Sequence, residues 1–70
     1  MFDRESILRS AKMKKEIYPM LRFGQSVYII TQKLYPEIVN KYNGSKFDCF
    51  YDDKMINKFL NKVEKDLKRN

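Results

Sequence analysis

The sequence predicts an all-α fold, a small bundle of three to four helices in a single domain that spans residues 1–70. Apolar side chains recur at helical spacing in several segments, most clearly near the C-terminus. Pro19 and Pro36 stand where one predicted helix must end and another can begin. The predicted helices cover about residues 3–18, 24–34, 36–43 and 53–68, and an ordered aromatic loop covers residues 45–52.

The first predicted helix begins after Asp3, whose carboxylate is suited to cap free backbone N–H groups. Pro19 disfavours helical geometry at the residue before it, so the helix should end at Tyr18 or just before it. Its expected inward stripe consists of Ile7, Leu8, Ala11 and Tyr18. The linker that follows should tuck its apolar side chains beneath the bundle. These side chains are Met20, Leu21 and Phe23.

The second predicted helix begins at Gly24 and is apolar over a wide arc, which is typical of a central helix. Its two apolar stripes are Val27, Ile30 and Leu34, and Tyr28, Thr31 and Tyr35. Pro36 suits the first position of a short third helix. Asn43 and Gly44 then allow two interpretations, a left-handed C-cap of that helix or the type I′ turn of a hairpin. We favour the cap, because a lone two-stranded hairpin is marginally stable.

The fourth predicted helix has the clearest periodicity in the chain, and Asp52 or Asp53 should cap its start. Its apolar residues fall within an arc of about 140°, so this face should dock on the core. They are Met55, Ile56, Phe59, Leu60, Val63 and Leu67. Basic residues follow the opposite face and form what we call the lysine ridge, namely Lys54, Lys58, Lys62, Lys65 and Arg69. Such a ridge is suited to tracking a phosphate backbone, and it is also typical of an ordinary solvated face.

The composition limits the chemistry that the chain can perform. It has 15 basic and 9 acidic residues, and this net charge of +6 favours acidic partners or simply keeps the protein soluble. Without histidine, the common zinc sites and the Ser–His and Cys–His nucleophilic pairs are excluded. A single cysteine cannot form an internal disulfide, and we expect a reducing, cytoplasmic setting. We therefore expect no enzyme activity, no metal and no cofactor.

Neither a membrane span nor a secretion signal is expected. The longest apolar run, Val27 to Ile30, is far shorter than the roughly 20 residues that cross a bilayer. Charged residues at positions 3–5 replace the apolar core of a signal peptide. A helix lying on a membrane surface is also disfavoured, because the apolar face of the fourth helix is needed for the core.

Several residues in and around the aromatic loop are candidates for a functional role. Asp48, Asp52 and Asp53 precede a helix, where capping is the expected role. Calcium binding is disfavoured, since the alternating oxygen ligands and the final glutamate of an EF-hand are missing. Cys49 is expected to be a small packed side chain rather than a nucleophile.

Five further residues are candidates for partner binding. Arg22 and Gln25 flank Gly24 and could recognise a carboxylate, a phosphate or a base edge, or could form a local hydrogen bond that holds the linker. The three aromatic residues of the loop could form a stacking platform or a protein-contact patch, or could close one end of the core. They are Phe47, Phe50 and Tyr51.

The order of several short motifs resembles a pattern in short uncharacterised proteins of phages and mobile elements. About half of the chain carries the resemblance. The motifs are Arg22-Phe23-Gly24-Gln25, Tyr35-Pro36-Glu37, Gly44 and Asp48-x-Phe50-Tyr51-x-Asp53. The resemblance implies an accessory or host-interaction protein in the cytoplasm of a bacterial host cell, and it implies no particular activity.

Two functions compete on this basis. The first is a non-enzymatic binding protein, a monomer or a homodimer, that docks on a host or phage protein through exposed aromatic and lysine side chains. The second is a nucleic-acid binder that uses the lysine ridge. A helix-turn-helix built from the second and third helices is disfavoured, because the third helix has only about seven residues and presents Glu37, Asn40 and Lys41 outward.

Overall fold

The computed structural model describes residues 2–69, which form four α-helices and one short 3-10 turn and contain no strand. The predicted all-α fold is confirmed. The helices are α1 (Arg4–Ile17), α2 (Phe23–Leu34), α3 (Pro36–Tyr42) and α4 (Ile56–Arg69), and the 3-10 turn (Asp53–Met55) leads into α4. The fourth helix therefore starts with a 3-10 turn and becomes α-helical only at Ile56.

Helix α1 is capped as predicted, since the carboxylate of Asp3 accepts a hydrogen bond from the backbone N–H of Ser6 at 3.1 Å. Ile7 and Ala11 are buried. The prediction that Tyr18 completes this inward stripe is wrong, because Tyr18 lies beyond the last helical residue with φ −120° and is half exposed. Met20 does not tuck beneath the bundle either, since 77% of its surface is exposed.

Helix α2 is central, as its wide apolar arc predicts, because it contacts α1, α3 and the 3-10 turn. Val27, Tyr28 and Thr31 are buried along it. Thr31 donates its side-chain hydroxyl to the carbonyl of Val27 at 2.7 Å, which satisfies a polar group inside the core. The prediction that Leu34 is buried is wrong, because Leu34 is the last residue of the helix and is 56% exposed.

Helix α3 ends in a turn that requires glycine. Asn43 has φ −60° and ψ 121°, Gly44 has φ +75°, and the N–H of Ser45 donates to the carbonyl of Tyr42 at 3.0 Å. These values define a type II turn placed directly after the helix, with Gly44 at the position that demands positive φ. The predicted short third helix and the positive φ of Gly44 are confirmed, and no hairpin forms here. The glycine belongs to a type II turn rather than to a left-handed helix cap, because its N–H donates to the carboxylate of Asp48 and not to a helix carbonyl.

Helix α4 supplies the two largest fully buried side chains of the core, Phe59 and Leu60. Phe59, Leu60 and Val63 are fully buried, and Tyr28 of α2 stacks on the ring of Phe59 with centroids 5.5 Å apart. Arg4 at the start of α1 contacts Asn61 and lies 3.9 Å from the carboxylate of Glu64, so α1 and α4 are also joined at the surface. The buried hydrophobic core consists of Ile7, Ala11, Val27, Tyr28, Val39, Cys49, Phe59, Leu60 and Val63.

Candidate binding surfaces

The N-terminus of α2 is the point where the aromatic loop joins the helices. The N–H of Gly24 donates to the carboxylate of Asp53 at 2.8 Å, and the side chain of Gln25 accepts from the N–H of Arg22 at 2.9 Å. Both contacts satisfy backbone donors that the first turn of a helix leaves free. The guanidinium of Arg22 donates to the carbonyl of Phe50 and lies 3.8 Å from the carboxylate of Asp53. Arg22 and Gln25 thus hold the loop and the helix start together.

The three aspartates each bind backbone N–H groups. Asp52 caps the 3-10 turn by accepting from the N–H of Lys54 at 2.9 Å. Asp53 instead caps α2, which lies 29 residues earlier in the chain. Asp48 is buried and accepts at 2.8 Å from both Gly44 and Phe50, so one carboxylate ties the type II turn to the end of the loop. The predicted capping of the segment before α4 is confirmed for Asp52. Asp53 caps a different helix than predicted, and the capping role is wrong for Asp48, whose carboxylate binds two backbone N–H groups outside any helix.

Cys49 is buried beneath this loop, as its predicted packing role requires. Its thiol lies 3.3 Å from the carbonyl of Gly24 and donates to it. Burial, followed by the neighbouring charge of Asp48, raises the pKa of the thiol from 9.0 to about 12. A thiol with such a pKa is protonated near neutral pH and is a poor nucleophile.

The aromatic residues of the loop divide between core and surface. Phe50 is partly buried and meets Tyr28 edge-on at 5.6 Å. Tyr51 is 75% exposed, and its ring packs edge-on against Phe50 at 4.9 Å. Phe47 is half-buried and meets Tyr42 edge-on at 6.0 Å. Phe50 therefore closes the core while it supports Tyr51, which extends into solvent.

The lysine ridge is exposed along most of its length. Lys58, Lys65 and Arg69 are exposed on α4, and Lys54 is exposed on the 3-10 turn. Lys62 differs, because its ammonium lies 4.7 Å from the ring centroid of Phe47 and its side chain is only half exposed. Lys46 approaches the same ring at 5.3 Å, which adds a loop cation beside the ridge.

One polar contact between side chains near the lysine ridge cannot be predicted from the spacing of residues in the sequence. The phenol of Tyr42 donates to the carboxylate of Asp66 at 2.5 Å, and the ammonium of Lys41 lies 3.4 Å from the same carboxylate. The hydrogen bond from Tyr42 lowers the pKa of Asp66 and raises that of Tyr42. Since the two residues lie 24 positions apart, only the packing of α3 against α4 brings them together.

The sequence candidates thus fall on two surfaces. The first, which we call the Tyr51 surface, consists of Arg22 and Tyr51, which both contact Phe50. The side chain of Gln25 is occupied in capping the start of α2, and Lys54 lies at the start of the lysine ridge. The second, the Phe47 surface, consists of Lys46, Phe47 and Lys62 and continues into Lys58 and Lys65 of the lysine ridge.

None of the helices between residues 2 and 69 has the length and apolar character needed to cross a membrane. Comparison of the chain with protein-family models, with curated proteins and with solved structures found no match.

Proposed function

We propose that this chain is a small non-enzymatic binding protein that acts through protein–protein contacts at the Tyr51 surface. The observation that carries the proposal is the exposure of Tyr51 on an aromatic ring that packs against the core. Three quarters of the surface of Tyr51 faces solvent. Its ring packs on the ring of Phe50, which in turn packs edge-on against the buried Tyr28. A large side chain that is already ordered loses little conformational entropy when a partner covers it.

The side chains around Tyr51 support a protein partner. Arg22 is half exposed and is oriented by the carbonyl of Phe50 and by Asp53, so its guanidinium is also ordered. Tyrosine and arginine are the residue types that most often dominate protein–protein binding energy. An accessory protein of a phage or mobile element that binds a host or phage protein, in the cytoplasm of a bacterial host cell, is the role that fits the sequence resemblance.

A pull-down with the purified chain tests this proposal. The bait is incubated with a lysate of the organism that encodes it, with and without nuclease, and the captured proteins are compared with those captured by a Tyr51→Ser bait. We expect a protein that survives nuclease treatment and is lost with Tyr51→Ser. A Leu34→Ser bait is the control, because it removes another exposed large side chain that lies outside the Tyr51 surface. Equal capture by the Tyr51→Ser and parent baits would refute the proposal.

Nucleic-acid binding through the lysine ridge is the second candidate, and the Phe47 surface favours it. Lys46 and Lys62 converge on one aromatic ring, so a loop cation joins the cations of α4. Cations beside an aromatic side chain are the usual elements of a surface that binds single-stranded nucleic acid. Asp66 weighs against this candidate, because its carboxylate places a negative charge between the end of the ridge and α3. Loss of the captured proteins on nuclease treatment would favour this second function.

A further inference from the structure

The second half of α1 leaves an apolar face without a partner. Met13 is 62% exposed and Ile17 is 67% exposed, although both are large aliphatic side chains on a helix whose other face is buried. A chain of 70 residues has few apolar side chains to spare from its core. Contiguous exposed apolar surface of this kind commonly marks an interaction site.

These side chains line a continuous shallow groove between α1 and α2, which we call the α1–α2 groove. Its main depression is lined by Ser10, Met13, Lys14, Ile17, Tyr18 and Ile30. A second depression shares Lys14 and Tyr18 with the first and continues to Met20 and Leu21 of the linker. From Ser10 to Ile17 the groove runs about 10 Å along the helix axis, which matches the distance between anchors at positions i and i+7 of a partner helix.

The positive charge near the groove indicates which kind of partner could bind there. Lys14 lines the groove, and Lys33 lies one helical turn after Ile30 on α2. Glu16 is the one acidic residue in the segment from Ser10 to Leu21, which supplies most of the lining. Within residues 2–69 no carboxylate lies within salt-bridge distance of Lys14 or Lys33. Lys14 lines both depressions, and its ammonium lies 5.1 Å from the ring of Tyr18 at their junction. These cations are therefore free to meet acidic groups that border an apolar ligand.

We propose that the α1–α2 groove binds an acidic amphipathic helix of another protein. Apolar side chains of that helix would cover Met13, Ile17 and Ile30, and its flanking carboxylates would pair with Lys14 and Lys33. A second copy of this chain is a poor occupant, because its own groove would bring a like excess of positive charge. This site goes beyond the Tyr51 surface and does not depend on it.

Selection from a random 16-residue peptide-display library against the intact chain tests the proposal. We expect the enriched peptides to place apolar residues at i, i+3 or i+4 and i+7 and acidic residues beside them. Their affinities, measured by fluorescence anisotropy, should fall by about tenfold or more for Ile17→Ser and for the double variant Lys14→Glu and Lys33→Glu. Amide chemical shifts of the parent protein should change around Met13, Ile17 and Ile30 when a peptide binds.

The control variant is Tyr51→Ser, which should bind the same peptides with unchanged affinity, and circular dichroism should show that every variant remains folded. Ile17 is exposed and Lys14 is half-buried, and neither belongs to the buried core, so their replacement should not disturb it. Enrichment of no acidic amphipathic peptide, or equal binding by Ile17→Ser, would overturn the proposal. Two other results would also overturn it. One is co-sedimentation of the parent, and not of Ile17→Ser, with vesicles of phosphatidylcholine and phosphatidylserine. The other is a dimer in sedimentation that Ile17→Ser abolishes.

Discussion

The carboxylate of Asp53 accepts a hydrogen bond from the backbone N–H of Gly24 at 2.8 Å, which ties the 3-10 turn before α4 to the first turn of α2. The contact requires a very close approach of the two segments. A side chain on Gly24 would overlap the carbonyl oxygen of Cys49 and would lie 2.7 Å from the carboxylate of Asp53. The absence of a side chain at position 24 therefore allows the aromatic loop to dock.

The two glycines should differ in their tolerance of substitution. Gly24→Ala is expected to reduce the free energy of unfolding by about 3 kcal/mol, because the added methyl group meets rigid backbone. Gly44→Ala should cost only about 1 kcal/mol, since open space surrounds the site and only its positive φ is unfavourable. Gly44→Asn should cost less than Gly44→Ala. Urea unfolding of the three variants checks the order, and an equal cost at the two glycines would contradict the close approach at Gly24.

Helix α4 should be required for folding. Phe59→Ala leaves a cavity in a fully buried site that also stacks on Tyr28, and the expected cost is about 3 kcal/mol or more. Val63→Asp buries an unpaired carboxylate and should prevent folding. Thermal melts followed by circular dichroism check both. Lys58→Ala on the exposed face of the same helix is the control and should melt near the parent temperature, whereas a parent-like melt of Phe59→Ala would show that the core lies elsewhere.

Cys49 should resist thiol reagents while the protein is folded. At pH 8 the buried thiol is protonated, since its pKa is raised to about 12, and iodoacetamide should modify it only after unfolding. The raised pKa also predicts alkaline instability. The unfolded state loses the thiol proton near pH 9, so the stabilisation from Cys49 is present below that pH and is lost as the pH rises toward 12.

Mass spectrometry of alkylated protein, with and without guanidinium, checks the reactivity of Cys49. Between pH 9 and pH 11 the free energy of unfolding of Cys49→Ala should decrease less than that of the parent. Tyr28 and Tyr42, whose pKa values are also raised, should account for the decrease that persists in this variant. Alkylation of the folded parent at the rate of free cysteine would contradict the buried position.

The Tyr42–Asp66 hydrogen bond should make stability depend on acid pH. The lowered pKa of Asp66 means that its stabilising contribution is present above the ordinary carboxyl range and is lost as the pH falls through the folded-state value. Tyr42→Phe should cost about 1 kcal/mol at pH 7. The difference from the parent should shrink at pH values below the folded-state pKa, and NMR titration of the variant should place the pKa of Asp66 closer to 3.8.

Tyr51→Phe is the matched control for Tyr42→Phe, because it makes the same chemical change at an exposed phenol. The free energy of unfolding of Tyr51→Phe should equal that of the parent both at pH 7 and at pH values below the folded-state pKa of Asp66. An unchanged pKa for Asp66 in Tyr42→Phe would show that Lys41, rather than Tyr42, governs that carboxylate.

The lysine ridge should bind duplex nucleic acid too weakly to measure at about 150 mM salt. Asp52 and Asp53 are exposed where the ridge begins, and they repel a polyanion there. If four cations do contact phosphates, a plot of the logarithm of the binding constant against the logarithm of the salt concentration should have a slope of about −3 to −4. Replacing two of these cations by Gln should reduce the magnitude of that slope by about 2. Lys58 and Lys65 are the residues to replace, because Lys62 also contacts Phe47.

The double replacement of Lys12 and Lys33 by Gln is the control for this experiment, since it removes the same charge outside the ridge. Fluorescence anisotropy over a range of salt concentrations provides the measurement. A nanomolar, steeply salt-dependent complex that weakens only with the ridge variant would make nucleic-acid binding the leading function.

The amino-acid sequence by itself determined the order and the approximate bounds of the helices. Pro19 and Pro36 restrict the backbone of the residues next to them, and Asp3 caps the helix that directly follows it. The apolar stripe of α4 depends only on residue spacing within that helix. Such signals are local, so they can be read from spacing alone. The exposure of Tyr18 and Leu34, at the ends of their apolar stripes, cannot be predicted in this way, because spacing does not show how far a neighbouring helix extends.

Only the tertiary structure decided how these helices and their loop meet. Asp53 caps α2 rather than α4, Tyr42 donates to Asp66, and Lys62 covers Phe47, and each pair joins residues that are distant in the chain. The same packing partly buries Phe50 and leaves Tyr51 exposed, although the two aromatic residues are adjacent in the sequence. Contacts of this kind depend on the relative placement of whole elements, which the burial of Phe59, Val27 and their neighbours sets collectively.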